Sequence, residues 1–359
     1  MTAPAFGRFF LPGPTDVHPD VLAAMQRPMI GHRSSAMEEL LRRIAPPLAA
    51  LCRTSRPVLV GTTSATGFME LAVRNGVRRR ALSLVNGAFS ERFANLVRAA
   101  GKESIRLDVP LGCAVEPDML RDALRRTPVD AVTVVHSETS TGVLQDVAAL
   151  ARVAREFDDV LVLVDAVTSL AGSPVEPDAW GLDFTFTGSQ KALALPPGLA
   201  LGVASERMLE RAKTLPARGL YFDLVGFEDA TRKFQPTNTP ALSLFYALET
   251  QLGRIAAEGG VEARWRRHDA MRCCVETWSA AGGVEYLPRE GRRSWTVSCL
   301  KLPAGKSAKE VVSALKQRGW TIGSGYGPLK DSTIRIGHMG DHTVAALEQL
   351  LGLAAEALA

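Results

Sequence analysis

The sequence predicts an α/β protein: a three-layer large domain over residues 11–257, then a smaller α+β domain over residues 258–359, with a short N-terminal segment at residues 1–10. Three observations predict it. Short apolar segments alternate with helix-like ones through the first two-thirds of the chain. Several apolar runs are continuous, as in Val160-Leu161-Val162-Leu163-Val164, which suits strands buried on both faces of a mostly parallel sheet. Beyond them the pattern changes to long helical stretches mixed with a few strand-like ones. Hydrophobic residues at 46% and charged ones at 22% exclude a disordered or fibrous chain.

In chain order, Val58–Val60, Ala81–Val85, Ser104–Asp108, Ala131–Val135, Val160–Asp165, Phe184–Thr187 and Ala200–Ala204 read as strands. Ala65–Arg74, Ser90–Ala100, Pro117–Arg126 and Val147–Glu156 read as the helices between them. Ser35-Ala36-Met37-Glu38 has the form of a capping box, opening a helix with Leu40, Leu41, Ile44, Leu48 and Leu51 on its apolar face. Pro46 and Pro47 predict a kink or break in it. A helical pattern from Ala241 toward Ser279 is expected to break at Gly259-Gly260. Ser294–Leu302, Lys309–Gln317, Thr333–Ile336 and a final helix from Thr343 complete the smaller domain.

A net charge of +4 is on the scale of solubility, without the clustering of a nucleic-acid footprint. The basic runs Arg78-Arg79-Arg80 and Arg264–Arg267 read as a solvated turn and a solvated helix face. No long apolar run marks a signal peptide or a membrane span. Five cysteines without metal-like spacing read as free thiols in a reducing compartment, so the expected location is the cytoplasm. Six scattered histidines give no metal site.

Three local signals carry chemistry. Asp165 closes a run of five apolar residues, where an unpaired carboxylate is costly and where open α/β sheets bind ligands; a helix cap or a structural ion pair is the alternative. Lys191, in Thr187-Gly188-Ser189-Gln190-Lys191 just after the next strand, could have its amine activated near a sheet edge for Schiff-base chemistry; the alternative is a solvated loop lysine. Gly61-Thr62-Thr63-Ser64-Ala65-Thr66-Gly67, between a strand and a helix, offers N–H groups and hydroxyls for a phosphate. It is neither a Walker loop nor a dinucleotide fingerprint, which disfavours a nicotinamide-dependent oxidoreductase.

Val164-Asp165-Ala166-Val167-Thr168-Ser169 and Thr187–Leu193 with Pro196-Pro197-Gly198 resemble class V aminotransferases of the fold type I pyridoxal-phosphate superfamily, most of all the alanine–glyoxylate, serine–glyoxylate and serine–pyruvate group. Leu11–Thr15, Met29–Ser34, Asn86–Arg92, His136–Gly142 and Arg335–Gly340 carry the likeness along the chain. The resemblance implies pyridoxal 5'-phosphate joined to Lys191, with Asp165 on its ring nitrogen. It implies Phe89 and Val167 on the two ring faces, Thr139 on the phenolic oxygen, and Ser64, Ala65, Thr66 and Gln190 on the phosphate. It further implies a homodimer with shared active sites, in which Asn238 and Thr239 complete the partner's phosphate site.

For the substrate, the resemblance implies Arg335 on the α-carboxylate, with Gly13, His32, Arg33 and His338 lining the pocket. His32-Arg33 reads equally as a phosphate contact or as part of the following helix start, and His338 as pocket lining or packing. The expected activity is transfer of an amino group from alanine or serine to glyoxylate or pyruvate, with aspartate and phosphoserine transamination as alternatives. A cysteine desulfurase would carry His before the lysine and a cysteine on a late mobile loop. Here Gln190 and the strand-like context of Cys299 argue against it. Presence of Lys191, Asp165 and Arg335 argues against a non-catalytic relative.

Overall fold

The computed structural model describes residues 6–358; the first five residues of the N-terminal segment and residue 359 lie outside the described residues. Seven strands form the main sheet in the spatial order Val58–Gly61, Ala200–Ala204, Phe184–Gly188, Leu161–Asp165, Ala131–Val135, Arg80–Val85, Glu103–Asp108. All neighbours run parallel except Ala200–Ala204, which is antiparallel to both of its own. The three central strands, Phe184–Gly188, Leu161–Asp165 and Ala131–Val135, are buried at every position. Their alternate side chains feed opposite layers: Leu161 and Leu163 pack with the helices Ala65–Gly76 and Glu206–Lys213, while Val162 and Val164 pack with Ser35–Leu51, Pro117–Arg126 and Val147–Ala154. A strand covered on both sides needs apolar residues at both parities, which is why these runs do not alternate.

A second sheet, in the order Phe9–Phe10, Thr321–Ser324, Thr333–Ile336, Ser298–Lys301, packs on the helices Val261–Ala281, Ala308–Gln317 and Val344–Leu358. The N-terminal segment joins this sheet: Phe9 pairs with Thr321 in parallel, and Phe10 is fully buried and stacked on His342. Gly337 then donates to the Phe10 carbonyl at 2.8 Å. A Cβ at 337 would stand 2.1 Å from the Leu11 carbonyl oxygen, so only glycine lets the two segments meet. That close approach delivers Gly13 to Lys191.

Several expectations are corrected. The helix expected from Ser35 has Ser34 as its cap residue, and no side chain caps it; the Ser34 hydroxyl instead donates to the Gly31 carbonyl at 2.7 Å. Pro46 and Pro47 lie inside that helix without ending it. Pro46 is exposed and Pro47 half-buried, while the helix's apolar face, Leu40, Ile44 and Leu48, is buried in the core and holds it through both. Of the run Arg264–Arg267, expected to be solvated, Arg266 is exposed but Arg264 is buried, because Ala192, Glu258 and Asp341 supply acceptors around it. Among the described residues no helix is long and apolar enough to cross a membrane, and no group of three or more His, Cys, Asp or Glu side chains has a metal-binding arrangement.

Phe186 joins the sheet to the layer above it, stacked on Phe184 and edge-on to Phe93 of the helix Ala88–Ala99. We expect Phe186→Ala to lower the unfolding free energy by about 3–5 kcal/mol in a urea titration. A loss under about 1 kcal/mol would show that the aromatic cluster does not hold this layer.

Candidate active site

Parallel pairing of Leu161–Asp165 with Phe184–Gly188 sets Asp165 beside Phe186, so the carboxyl ends of both strands open on one edge of the sheet. There Gly13, Ser64, Ala65, Thr66, Phe89, Thr139, Asp165, Val167, Gln190 and Lys191 line one cavity of about 280 Å³. All of the residues expected to hold the cofactor from within this chain are thus brought together. Gly13 has φ +103°, and a Cβ there would fall 2.6 Å from the Lys191 side chain, so glycine makes room for the lysine. Lys191 Nζ donates to the Pro12 carbonyl and lies 5.9 Å from the Phe89 ring centre.

Asp165 Oδ1 accepts from Val167 N–H at 2.8 Å, and its other oxygen has no hydrogen-bond partner among the described residues. Burial pushes its pKa up to about 7, against the pull of the Val167 N–H. A cationic ring N–H in the cavity would meet that oxygen and return the group to its ionised form. Burial likewise lowers Lys191 to about 7, helped by the neighbouring Arg335 guanidinium and opposed by Asp165. The amine is therefore neutral, and nucleophilic, in the range where an ordinary lysine is charged.

The Gly61–Gly67 turn leads into the helix Ala65–Gly76, where the Ser64 side chain makes no cap hydrogen bond. The N–H groups of Ala65 and Thr66 donate to no protein acceptor among the described residues, and with the free hydroxyls they suit an anion. Phe89 and Val167 are both half-buried on the cavity wall. Thr139 shares a hydrogen bond with Thr168, another lining residue.

Arg335 donates to the Ser324 carbonyl at 2.9 Å and to the carbonyl of the cavity-lining Thr139 at 3.1 Å; it does not itself line the cavity, its charge acts on Lys191, and it has no carboxylate partner among the described residues. Tyr326 lies under it, 5.5 Å from guanidinium to ring centre, and reaches Phe89 at 5.8 Å.

Other expected residues lie elsewhere. His338 is fully buried with its Nε2 2.9 Å from the Ser298 hydroxyl, itself bonded to Tyr286, and burial lowers its pKa to about 3. It is a packing histidine and not a pocket residue, because the small-domain core closes around it. His32 and Arg33 do not line the cavity of their own chain; Arg33 is exposed and His32 half-buried. Asn238 and Thr239 are exposed and also outside it. Cys299 is buried in the strand Ser298–Lys301, and burial pushes its thiol up to about 11, the opposite of an activated nucleophile.

Three contributors escaped the sequence reading. Glu138 is fully buried, and its carboxylate accepts from the Phe89 and Ser90 N–H groups, closing the start of the helix that carries Phe89. Arg92 lines the cavity, 4.9 Å above the Phe89 ring, one helical turn beyond it. Thr168 follows Val167 at the strand end. All three lie in stretches that carry the resemblance, Asn86–Arg92, His136–Gly142 and Val164–Ser169, but nothing in those stretches alone gives these three side chains a role.

The lowered amine pKa has a direct consequence. In the apo-protein, acylation of Lys191 by an amine-reactive reagent should rise through its midpoint near pH 7, not near the ordinary 10.5. Asp165→Asn removes the anion that favours the charged amine, so the midpoint should fall further. Peptide mass spectrometry after pulse labelling reads both; a midpoint that rises in the variant would contradict the assignment.

Residues 94–339 match the family of class V aminotransferases. The chain is 37% identical to an uncharacterized aminotransferase of Methanocaldococcus jannaschii, over 92% of this chain and 87% of the relative. It is 30% identical to the L-aspartate–glyoxylate aminotransferase of Paracoccus denitrificans, over 94% and 87%. The crystal structure of an aspartate aminotransferase from Thermus thermophilus superposes with a TM-score of 0.90 at 34% identity, covering 98% of this chain and 99% of that one. The matched stretch contains Asp165, Lys191 and Arg335, and the chain belongs to the class V aminotransferases, a pyridoxal-phosphate-dependent family of fold type I.

Proposed function

We propose that the protein transfers an amino group from a small L-amino acid, alanine or serine, to a 2-oxo acid such as glyoxylate or pyruvate, in two half-reactions at one site. The observation that carries this reading is the shared cavity of Lys191 and Asp165 with Arg335 beside it. When bound, pyridoxal phosphate supplies an aldehyde that joins amines and a ring that accepts the electron pair released at the substrate Cα. Ser64, Ala65, Thr66 and Gln190 would hold its phosphate, Phe89 and Val167 would orient its ring, Thr139 would meet its phenolic oxygen, and Asp165 would pair with its ring nitrogen.

Lys191 would take the proton from the substrate Cα and deliver it to the cofactor carbon joined to the amine, and move it the other way in the second half-reaction, a task suited to a group whose pKa lies near 7. Arg335 grips the α-carboxylate through a planar pair of N–H groups, fixing which Cα bond faces the amine. The exposure of Asn238 and Thr239, away from their own cavity, supports a homodimer in which they complete the partner's phosphate site. Five unpaired cysteines support a reducing compartment, the cytoplasm.

A second reading, aspartate as the donor, is favoured by Arg92: it lines the cavity and has no carboxylate partner among the described residues. The aspartate-named relatives agree with it. Steady-state rates with alanine, serine, aspartate and phosphoserine against glyoxylate decide. We expect alanine or serine to have the highest kcat/KM; aspartate ahead by about tenfold would install the second reading, and phosphoserine ahead by about a hundredfold would overturn both. Arg335→Lys should lower kcat/KM for the donor by about 10–100-fold while leaving cofactor binding intact. An unchanged kcat/KM would remove Arg335 from carboxylate recognition.

A further inference from the structure

Among the described residues Arg264 is the largest fully buried side chain, only 1% exposed. A guanidinium removed from water is costly unless its donors are matched, and here every arm is. Nε and Nη2 donate to the Ala192 carbonyl at 3.2 and 2.8 Å, Nη2 also to Asp341 at 2.8 Å, and Nη1 to Glu258 at 3.0 Å. Asp341 is steadied in turn by Gln251 at 3.0 Å. The double contact falls on the residue immediately after Lys191.

The turn it grips needs holding. Ala194 has φ +54°, in the left-handed region that a side chain with a Cβ disfavours. The Lys191 carbonyl is capped by the Ala194 N–H at 2.8 Å and the Thr15 hydroxyl at 3.2 Å. Gly340, next to Asp341, leaves just enough space for Ala194: a Cβ at 340 would stand 3.1 Å from that of Ala194. A conformation of this kind persists only when its surroundings over-determine it.

We propose that Arg264 is a positioning residue for Lys191: by bracing the Ala192 carbonyl against Asp341 and Glu258 it holds the left-handed turn that keeps the amine directed into the cavity. The proposal rests on the reading of Lys191 as the cofactor-bearing amine. Lysine in place of Arg264 keeps the charge for Asp341 but cannot span three acceptors with a planar fork. Released from its brace, residue 194 relaxes and the amine is misplaced.

The test follows covalent adduct formation between the apo-protein and pyridoxal phosphate, by absorbance and borohydride trapping, together with thermal melting. Arg264→Lys should stay folded and form the adduct about tenfold more slowly. Ala194→Gly in that background should restore most of the rate, because glycine adopts the left-handed turn unaided. Asp341→Asn, a milder loosening, should slow it by about threefold. An unslowed Arg264→Lys overturns the proposal whatever its melting temperature. Slowing that Ala194→Gly fails to restore, with melting lowered in both variants, also overturns it by reducing Arg264 to a structural role. If the unsubstituted protein forms no adduct, the reading of Lys191 falls, and this proposal with it.

Discussion

The three central strands, covered by helices on both faces, carry one ionisable side chain, Asp165, and it stands at a carboxyl end, where the sheet stops. Asp165 ends a strand buried throughout, and Lys191 follows the neighbouring strand, whose parallel pairing opens both on the same edge. The carboxylate and the amine therefore share a cavity from which water is largely withdrawn. Desolvation pushes the two pKa values toward each other, one up and one down, to about 7. The chemistry proposed for the site uses both directions: an amine able to lose its proton, and a carboxylate that a cationic partner would return to its ionised form.

The remaining architecture serves to close and aim this pair. Chain from both ends converges on it. Phe10 enters the second sheet, Gly337 admits the Leu11 carbonyl, and Gly13 arrives against the lysine stem. The stretch from Arg335 to His342 contributes Arg335 at one end and the Asp341–Arg264 brace at the other, so the same few residues orient the expected substrate anchor and the lysine turn. Glu138 does the comparable job for Phe89, fixing the helix start that presents it.

Much of this was legible beforehand. Continuous apolar runs announced the central strands, and Asp165, Lys191 and the Gly61–Gly67 turn stood out by where those runs ended. What stayed hidden depends on tertiary neighbours. Phe9–Phe10 is too short to read as a strand without Thr321 beside it. Arg264 sits in a charged helical run that looks solvated, and its burial is made tolerable by Glu258 together with Ala192 and Asp341, both distant in sequence. His338 lies in a stretch with Arg335, yet its side chain turns into the small-domain core toward Ser298. Two prolines in the helix Ser35–Leu51 broke a local rule that packing of Ile44 and Leu48 overrides. Period and composition locate the edge of a sheet; they do not say which side chains fold back over it.

The central claim is that a single amine, that of Lys191, carries the cofactor. Reducing the protein with borohydride in the presence of pyridoxal phosphate, then digesting it and mapping the modified peptide by mass spectrometry, tests this most directly. One modified site is expected, Lys191, at close to one cofactor per chain. Attachment at another lysine, or spread over several surface lysines with Lys191 bare, would contradict it.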